Sequence, residues 1–89
     1  METAEARLKR MNMRSWRRGT KEMDLVLGPY ADAHLAAMPI DHLALYDRLL
    51  EENDQDLLPW VLGQQPAPME LADLIAEIGD FARNRLSRA

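Results

Sequence analysis

Apolar residues recur every three or four positions along most of this 89-residue chain. That spacing places them on one face of an α-helix. The clearest example is the C-terminal stretch, whose apolar face contains Leu71, Leu74, Ile75, Ile78, Phe81, Ala82 and Leu86. No segment of four or more residues alternates as a half-buried strand would. The pattern therefore predicts an all-α fold.

Proline, glycine and polar residues divide this pattern into five segments. We predict helices over residues 3–16, 19–37, 40–52, 56–62 and 69–86. With short connections, five helices favour a compact antiparallel bundle, and the chain length favours a single domain over residues 1–89. The first segment has a thin apolar stripe, so we expect it to pack weakly.

Prolines set two of the expected boundaries. Pro29 lacks an N–H and crowds the preceding turn, so we expect a kink or break in the second helix. The fourth helix has two candidate caps, Asp54 and Asp56. We prefer Asp56, because Pro59 then lies in the first turn, where the backbone N–H has no helical partner. Gly63 is expected to end this helix.

Composition excludes several classes of site. The chain has no cysteine, which rules out disulfides and thiolate metal sites. Its two histidines, His34 and His42, lack metal-ligand spacing, so no metal site is predicted. A core of this size leaves little room for an enclosed active site, and no catalytic residues are predicted. No apolar run is long enough to insert in a membrane, and we expect a mature, cytoplasmic, monomeric protein.

Charge is distributed unevenly. Seven of the eleven basic residues lie between Arg7 and Lys21, whereas residues 22–82 contain thirteen acids and one base, Arg48. A net charge of −4 disfavours non-specific binding of nucleic acid by the whole surface. The uneven distribution instead favours a protein partner that carries charged patches of its own.

The segment from Arg17 to Asp24 combines these charges with a glycine at the start of a helix. One interpretation is structural: Gly19 would be the N-cap, and the Glu22 carboxylate would reach back to its N–H. The other is functional: Arg17, Arg18, Gly19 and Glu22 would form an exposed docking patch, approachable because Gly19 has no Cβ. A capped helix start would also make a rigid docking site, so both can hold.

Two motifs give this chain a family resemblance. Arg18-Gly19-Thr20-Lys21-Glu22-Met23-Asp24 resembles the Arg-Gly-x-x-Glu-x-Asp signature of the succinate dehydrogenase assembly factors. Asp54-Gln55-Asp56-Leu57-Leu58-Pro59-Trp60 is similar to the acidic-Leu-x-x-Trp segment of that family. The resemblance spans roughly residues 14–62 in the same order. Pro59 and Gly28 depart from the family pattern.

The resemblance implies a five-helix protein that binds the flavoprotein subunit of succinate dehydrogenase, with fumarate reductase as a second candidate. It implies that the protein promotes covalent attachment of FAD to that subunit, with no tightly bound cofactor of its own. The partner-binding residues that we predict are Arg17, Arg18, Gly19, Glu22, Asp24 and Trp60. For Trp60, core packing and partner contact both remain open.

Two other functions compete with an assembly factor. A small helical nucleic-acid-binding module would use the basic N-terminal helix, although the later helices are acidic. A flavin-binding enzyme would be yellow or would quench flavin fluorescence. These observable differences separate the three functions.

Overall fold

A computed structural model describes residues 1–87 as five α-helices. They are α1 (Ala4–Trp16), α2 (Lys21–His34), α3 (Ile40–Leu49), α4 (Asp54–Val61) and α5 (Met69–Ser87), and a 3₁₀ turn, Leu35–Ala37, follows α2. This part of the chain contains no strand, which confirms the all-α prediction. Within the same residues, no helix has both the length and the apolar composition needed to cross a bilayer.

All five helices contribute to one hydrophobic core. Its fully buried side chains include Met11 from α1, Leu27 from α2, Tyr46 from α3, Leu57 from α4 and Leu71 from α5. Each belongs to the apolar stripe of its own helix. The helical spacing in the sequence therefore places the core correctly.

The expectation that α1 packs weakly is wrong for its C-terminal half. Met11 and Ser15 are fully buried there. The Ser15 hydroxyl donates its one hydrogen to the Met11 carbonyl oxygen at 2.8 Å. The Tyr46 hydroxyl must therefore be the donor in its 2.6 Å bond to the Ser15 oxygen. A buried polar link thus joins α1 to α3, and it satisfies both hydroxyl groups.

Of the kink or break expected at Pro29, the break is wrong, because α2 continues through Pro29 to His34. Proline offers no N–H to the carbonyl of Leu25, four residues earlier. That carbonyl oxygen instead accepts a hydrogen bond from the guanidinium of Arg85 in α5, at 3.3 Å. A tertiary contact therefore compensates for the hydrogen bond that the proline removes.

Gly28 allows a close approach between α1 and α2. A Cβ at this position would lie 2.3 Å from Cδ2 of the Trp16 ring. The Trp16 indole N–H also donates to Asp32, at 3.2 Å. Gly28, which departs from the family pattern, therefore provides the surface on which the Trp16 ring packs.

Replacing Gly28 by alanine should displace the Trp16 ring. Better helix propensity would add about 1 kcal/mol, but a contact this short should cost about 2–3 kcal/mol, the upper part of the usual range for overpacking, so we expect a net loss of about 1–2 kcal/mol. Urea unfolding measures the loss, and Trp16 emission should shift to the red. Both the parent and the Gly28 variant carry Trp60→Phe, so that Trp16 is the only tryptophan observed. Unchanged stability and emission would refute this packing.

The N-terminal caps of α2 and α4 differ from the predictions. Thr20, not Gly19, caps α2, because its hydroxyl accepts the N–H of Met23 at 3.3 Å. The proposed Gly19–Glu22 capping box is therefore wrong. Helix α4 begins at Asp54 with Asn53 as its cap, so the preference for Asp56 is wrong and Pro59 is the sixth helical residue.

Two other helix ends agree with the predictions, whereas the end of α3 does not. Gly63 has a φ of +75°, and the N–H groups of Gly63 and Gln64 donate to the carbonyls of Trp60 and Pro59. This is a Schellman motif, in which glycine takes the left-handed position. Met38 is extended before Pro39, as expected. Helix α3 ends at Leu49, three residues earlier than predicted.

The two tyrosines should make the fold sensitive to alkali. Burial raises the pKa of Tyr46 to about 12, and burial together with a hydrogen bond to Glu77 raises the pKa of Tyr30. In the unfolded chain, both phenols ionise near pH 10. The stabilisation from keeping them neutral is complete below that pH and is lost as pH rises through the higher folded pKa.

We therefore expect tyrosinate absorbance to appear together with loss of helical circular dichroism above about pH 10. Tyr46→Phe removes one of the two ionising groups. Relative to its own stability at pH 7, this variant should therefore lose its fold at a higher pH than the parent. Normal tyrosine titration with intact circular dichroism would contradict the burial of both phenols.

Candidate functional site

The turn between α1 and α2 holds the predicted docking residues. The N–H of Arg17 donates to the Arg14 carbonyl and ends α1, and Thr20 caps α2. Gly19 lies between them and is exposed. Its backbone does not adopt a positive φ. Conformational freedom therefore does not explain the glycine at this position.

Contact with α4 gives Gly19 a steric reason. A Cβ there would lie 3.2 Å from Oδ2 of Asp54, which is tighter than ordinary van der Waals contact. The same oxygen accepts the N–H of Thr20 at 3.0 Å. The missing side chain thus lets the turn approach Asp54 closely enough for that bond.

Arg18 does not have the exposed side chain that the docking patch predicted. Its guanidinium pairs with Asp54 at 2.8 Å, and the two side chains are 9% and 10% exposed. Two further bonds reach the carbonyl oxygens of Leu50 and Glu52, at 2.8 and 2.6 Å. Arg18 therefore fastens the turn to the segment between α3 and α4, and a contact of its guanidinium with a partner would require this network to open.

Asp24 holds the same turn from the other side. Its half-buried carboxylate accepts the N–H of Arg18 at 2.5 Å. Asp24 and Asp54 thus each bind one backbone N–H of the turn, while Asp54 also neutralises the Arg18 guanidinium. In the sequence, Asp54 was a candidate helix cap and the first residue of the second motif, but its separation of 36 residues from Arg18 hid the pairing.

Arg17 and Glu22 remain as exposed charges beside Gly19. Among residues 1–87, neither forms an ion pair or a side-chain hydrogen bond. Lys21 is likewise exposed and unpaired within that part of the chain. Of the residues predicted to form the docking patch, Arg17, Gly19 and Glu22 are therefore exposed, whereas the side chain of Arg18 is used within the fold.

Two surface grooves of opposite charge meet at Gly19. One, of about 420 Å³, is lined by arginines of α1 together with Met13. The other, of about 640 Å³, shares Arg14 and Arg18 with the first but adds three acids, Glu51, Glu52 and Asp54, so the net charge of its lining is negative. A partner that covers Gly19 therefore meets positive charge on one side and negative charge on the other.

Trp60 lies apart from this turn. It is half-buried on α4, packs against the core, and lines neither of the two grooves. Like Glu22 and Asp24, it therefore lies outside the lining of the grooves at Gly19. A partner contact by its exposed part stays a prediction.

The histidines have no catalytic neighbours at this site. His34 packs against the rings of Tyr30 and Phe81, with ring centres 4.6 and 5.2 Å apart. His42 lines a separate acidic groove with Glu70 and Asp73. The described residues contain no group of three or more His, Cys, Asp or Glu side chains that could hold a metal ion.

Known proteins resemble this chain over most of its length. A family model described as flavinator of succinate dehydrogenase matches residues 9–82. The chain is 34% identical over 86 residues to succinate dehydrogenase assembly factor 2, mitochondrial, of Schizosaccharomyces pombe, a match that covers 94% of this chain and 62% of that protein.

Two further relatives carry related names. FAD assembly factor SdhE of Acetobacter pasteurianus is 34% identical over 67 residues, covering 75% of this chain and 62% of that protein. Succinate dehydrogenase assembly factor 2 of Aspergillus terreus is 44% identical over 61 residues, covering 68% and 20%. The chain thus spans less than two thirds of the length of each of these relatives.

Proposed function

We propose that this chain, which belongs to the family of flavinators of succinate dehydrogenase, binds the flavoprotein subunit of that enzyme and promotes covalent attachment of FAD to it. The family match over residues 9–82 carries this proposal. That range contains both the turn at Gly19 and the segment from Asp54 to Trp60.

The surface at Gly19 supports a docking role. The turn is exposed, it is fastened by the buried Arg18–Asp54 pair, and it presents bare backbone between Arg17 and Glu22. Charged groups around such a centre fix the orientation of a partner more than they add affinity. We therefore propose that the flavoprotein subunit covers Gly19 and lies over both grooves.

This role needs no catalytic group in the chain itself. The flavin and the flavoprotein can supply the chemistry of attachment: the C8 methyl group of the flavin loses a proton, a histidine nitrogen of the flavoprotein bonds to that carbon, and the flavin ring takes up two electrons and is reduced. A helper has only to favour the conformation in which these two groups meet. A population shift of about 100-fold requires about 2.7 kcal/mol of differential binding, which a small docking surface can provide.

The family match favours this role over a nucleic-acid-binding module. The charges of α1 agree, because intramolecular carboxylates already engage two of its arginines: Arg7 binds Asp47, and Arg10 binds both Asp47 and Glu2. Phosphates would have to displace these carboxylates. These arginines are therefore less available to bind the phosphates of a nucleic acid.

Reconstitution tests the proposal. Purified apo flavoprotein subunit is incubated with FAD, with and without this chain, and flavin fluorescence is measured after denaturing electrophoresis. We expect more covalently bound flavin when the chain is present, and a small helical protein of similar net charge serves as the control. Equal yields with and without saturating chain would overturn the proposal, and a yellow purified chain would favour the flavin-binding enzyme instead.

Three finer statements belong to the same proposal. Fumarate reductase is a second candidate partner, since its flavoprotein presents the same cofactor chemistry. The chain acts as a monomer in the cytoplasm. Light scattering measures the oligomeric state of the purified chain and of its complex. Competition between the two flavoproteins tests whether they share one docking surface.

A further inference from the structure

We propose that the groove on α1 beside Gly19 receives an extended acidic segment of the flavoprotein partner. Its lining residues are Arg10, Met13, Arg14, Arg17, Arg18 and Gly19. The inference rests on the proposed function and deepens it, because it names the chemistry of the partner surface. It also extends the contact from the turn along α1 to residues outside the Arg-Gly-x-x-Glu-x-Asp signature.

Intramolecular carboxylates neutralise one end of this groove and leave the other end positive. Arg10 hydrogen-bonds to both Glu2 and Asp47, at distances from 2.7 to 3.2 Å. Towards Gly19, Arg14 has a single ion pair, to Glu51, at 3.4 Å and largely exposed. Arg17 has none within the described residues.

The free donors at this end suit carboxylates. Two of the five N–H groups of Arg14 are engaged, by Glu51 and by the Leu50 carbonyl, and those of the Arg17 side chain are all free within the described residues. A guanidinium can bind a carboxylate through two parallel hydrogen bonds. On a protein with a net charge of −4, this positive end is a local exception that would orient an acidic segment.

Helical geometry suggests the spacing of the partner's acids. Arg14 lies in the last turn of α1, and Arg17 is the C-cap residue three positions later. Residues with this separation are neighbours on a helix, with Cβ atoms roughly 5–6 Å apart in regular geometry. Alternate residues of an extended strand are roughly 7 Å apart and point to the same side. Two acids separated by one residue can therefore face both arginines at once.

Met13 supplies the apolar part of the groove. It is 42% exposed although it is a large hydrophobic residue. An unbranched thioether adapts to irregular surfaces, so it can contact the methylene groups of glutamate or an apolar neighbour in the bound segment. Removal of this side chain from water would add to the charge contacts.

A peptide fits the whole surface better than a phosphate ligand. Beyond Gly19 the second groove contains three acids, Glu51, Glu52 and Asp54, against two arginines that are both already paired, so its net negative charge would repel a dinucleotide or a nucleic acid strand. A peptide can carry neutral or basic residues at that point. The reversal of charge across Gly19 therefore favours a protein segment with both signs of charge.

Charge reversal tests the proposal in the full chain. We expect Arg17→Glu to weaken binding of the purified apo flavoprotein subunit at least about tenfold at low salt, with a smaller effect as salt rises. The matched control is Lys9→Glu, which makes the same charge change at an exposed position of α1 outside this groove. It should change the affinity less than about threefold. Equal effects of the two variants would refute the groove.

Cross-linking tests the contact directly. Arg17→Lys keeps the charge and introduces an amine that a carbodiimide can join to a carboxylate in contact with it. Mass spectrometry should find position 17 joined to an aspartate or glutamate of the flavoprotein that has a second acid two residues away. Cross-links at other lysines but none at position 17 would overturn the proposal.

Two outcomes separate this proposal from the proposed function. If the unmodified chain fails to bind the flavoprotein, the proposed function itself is wrong. If it binds, but Arg17→Glu binds equally well, only the groove is wrong. FAD alone is titrated as a further probe: quenching of its fluorescence by the chain, abolished in Arg17→Glu, would assign the groove to a dinucleotide and overturn the acidic segment.

Discussion

Replacement of Gly19 by arginine is expected to weaken binding of the flavoprotein subunit at least about 100-fold, equivalent to about 2.7 kcal/mol. The new side chain would stand where the two grooves meet, and even its Cβ would lie 3.2 Å from Asp54 Oδ2. Gly19 is exposed and does not need a positive φ, so the helical fold should survive. Isothermal titration measures the affinity, and circular dichroism verifies the fold.

Two controls separate charge from position. Gln65→Arg adds the same side chain at an exposed loop residue that lines neither groove, and it should bind normally. Gly19→Ala adds only the Cβ, so we expect an effect smaller than that of arginine. Unchanged affinity in Gly19→Arg would show that the docking surface lies elsewhere on the molecule.

Replacement of Asp54 by alanine is expected to lower the free energy of unfolding by about 3–5 kcal/mol. The change leaves the Arg18 guanidinium without its counter-charge in a site where its side chain is 9% exposed, and it leaves the Thr20 N–H without its acceptor. A domain of this size has a total stability of only about 5–10 kcal/mol, so much of the chain would be close to unfolding. Urea denaturation at neutral pH measures the loss.

An exposed ion pair provides the matched control. Glu51→Ala removes the partner of Arg14, but these side chains are 38% and 68% exposed. Exposed pairs contribute about 0–1 kcal/mol, so this variant should be nearly as stable as the parent. Similar losses for Asp54→Ala and Glu51→Ala would show that burial does not make the Arg18–Asp54 pair special.

Local patterns in the sequence predicted the helices well, because their information is contained within a few residues. Apolar spacing located all five helices, Met38-Pro39 marked the end of the second, and Gly63 marked the end of the fourth. The errors at Thr20 and Asn53 concern caps, for which several neighbouring residues are chemically suitable. Only the surrounding packing selects one of them.

Contacts between distant residues could not be predicted in the same way. Nothing near Pro29 indicates that Arg85 binds the Leu25 carbonyl, and nothing near Arg18 indicates the pairing with Asp54. Arg18 therefore looked like an exposed docking residue, although it mainly builds the turn. The exposure of Gly19, Arg17 and Glu22 was expected correctly, since no apolar stripe passes through them.

The carboxylates of Asp24 and Asp54 bind the N–H groups of Arg18 and Thr20, although the turn itself lies at the surface. These two amides should exchange with solvent much more slowly than amides of other exposed loops. The conformational entropy of the turn is therefore lost when the chain folds, before any partner binds. Binding of a partner at Gly19 therefore costs little further conformational entropy, so a small interface can reach useful affinity.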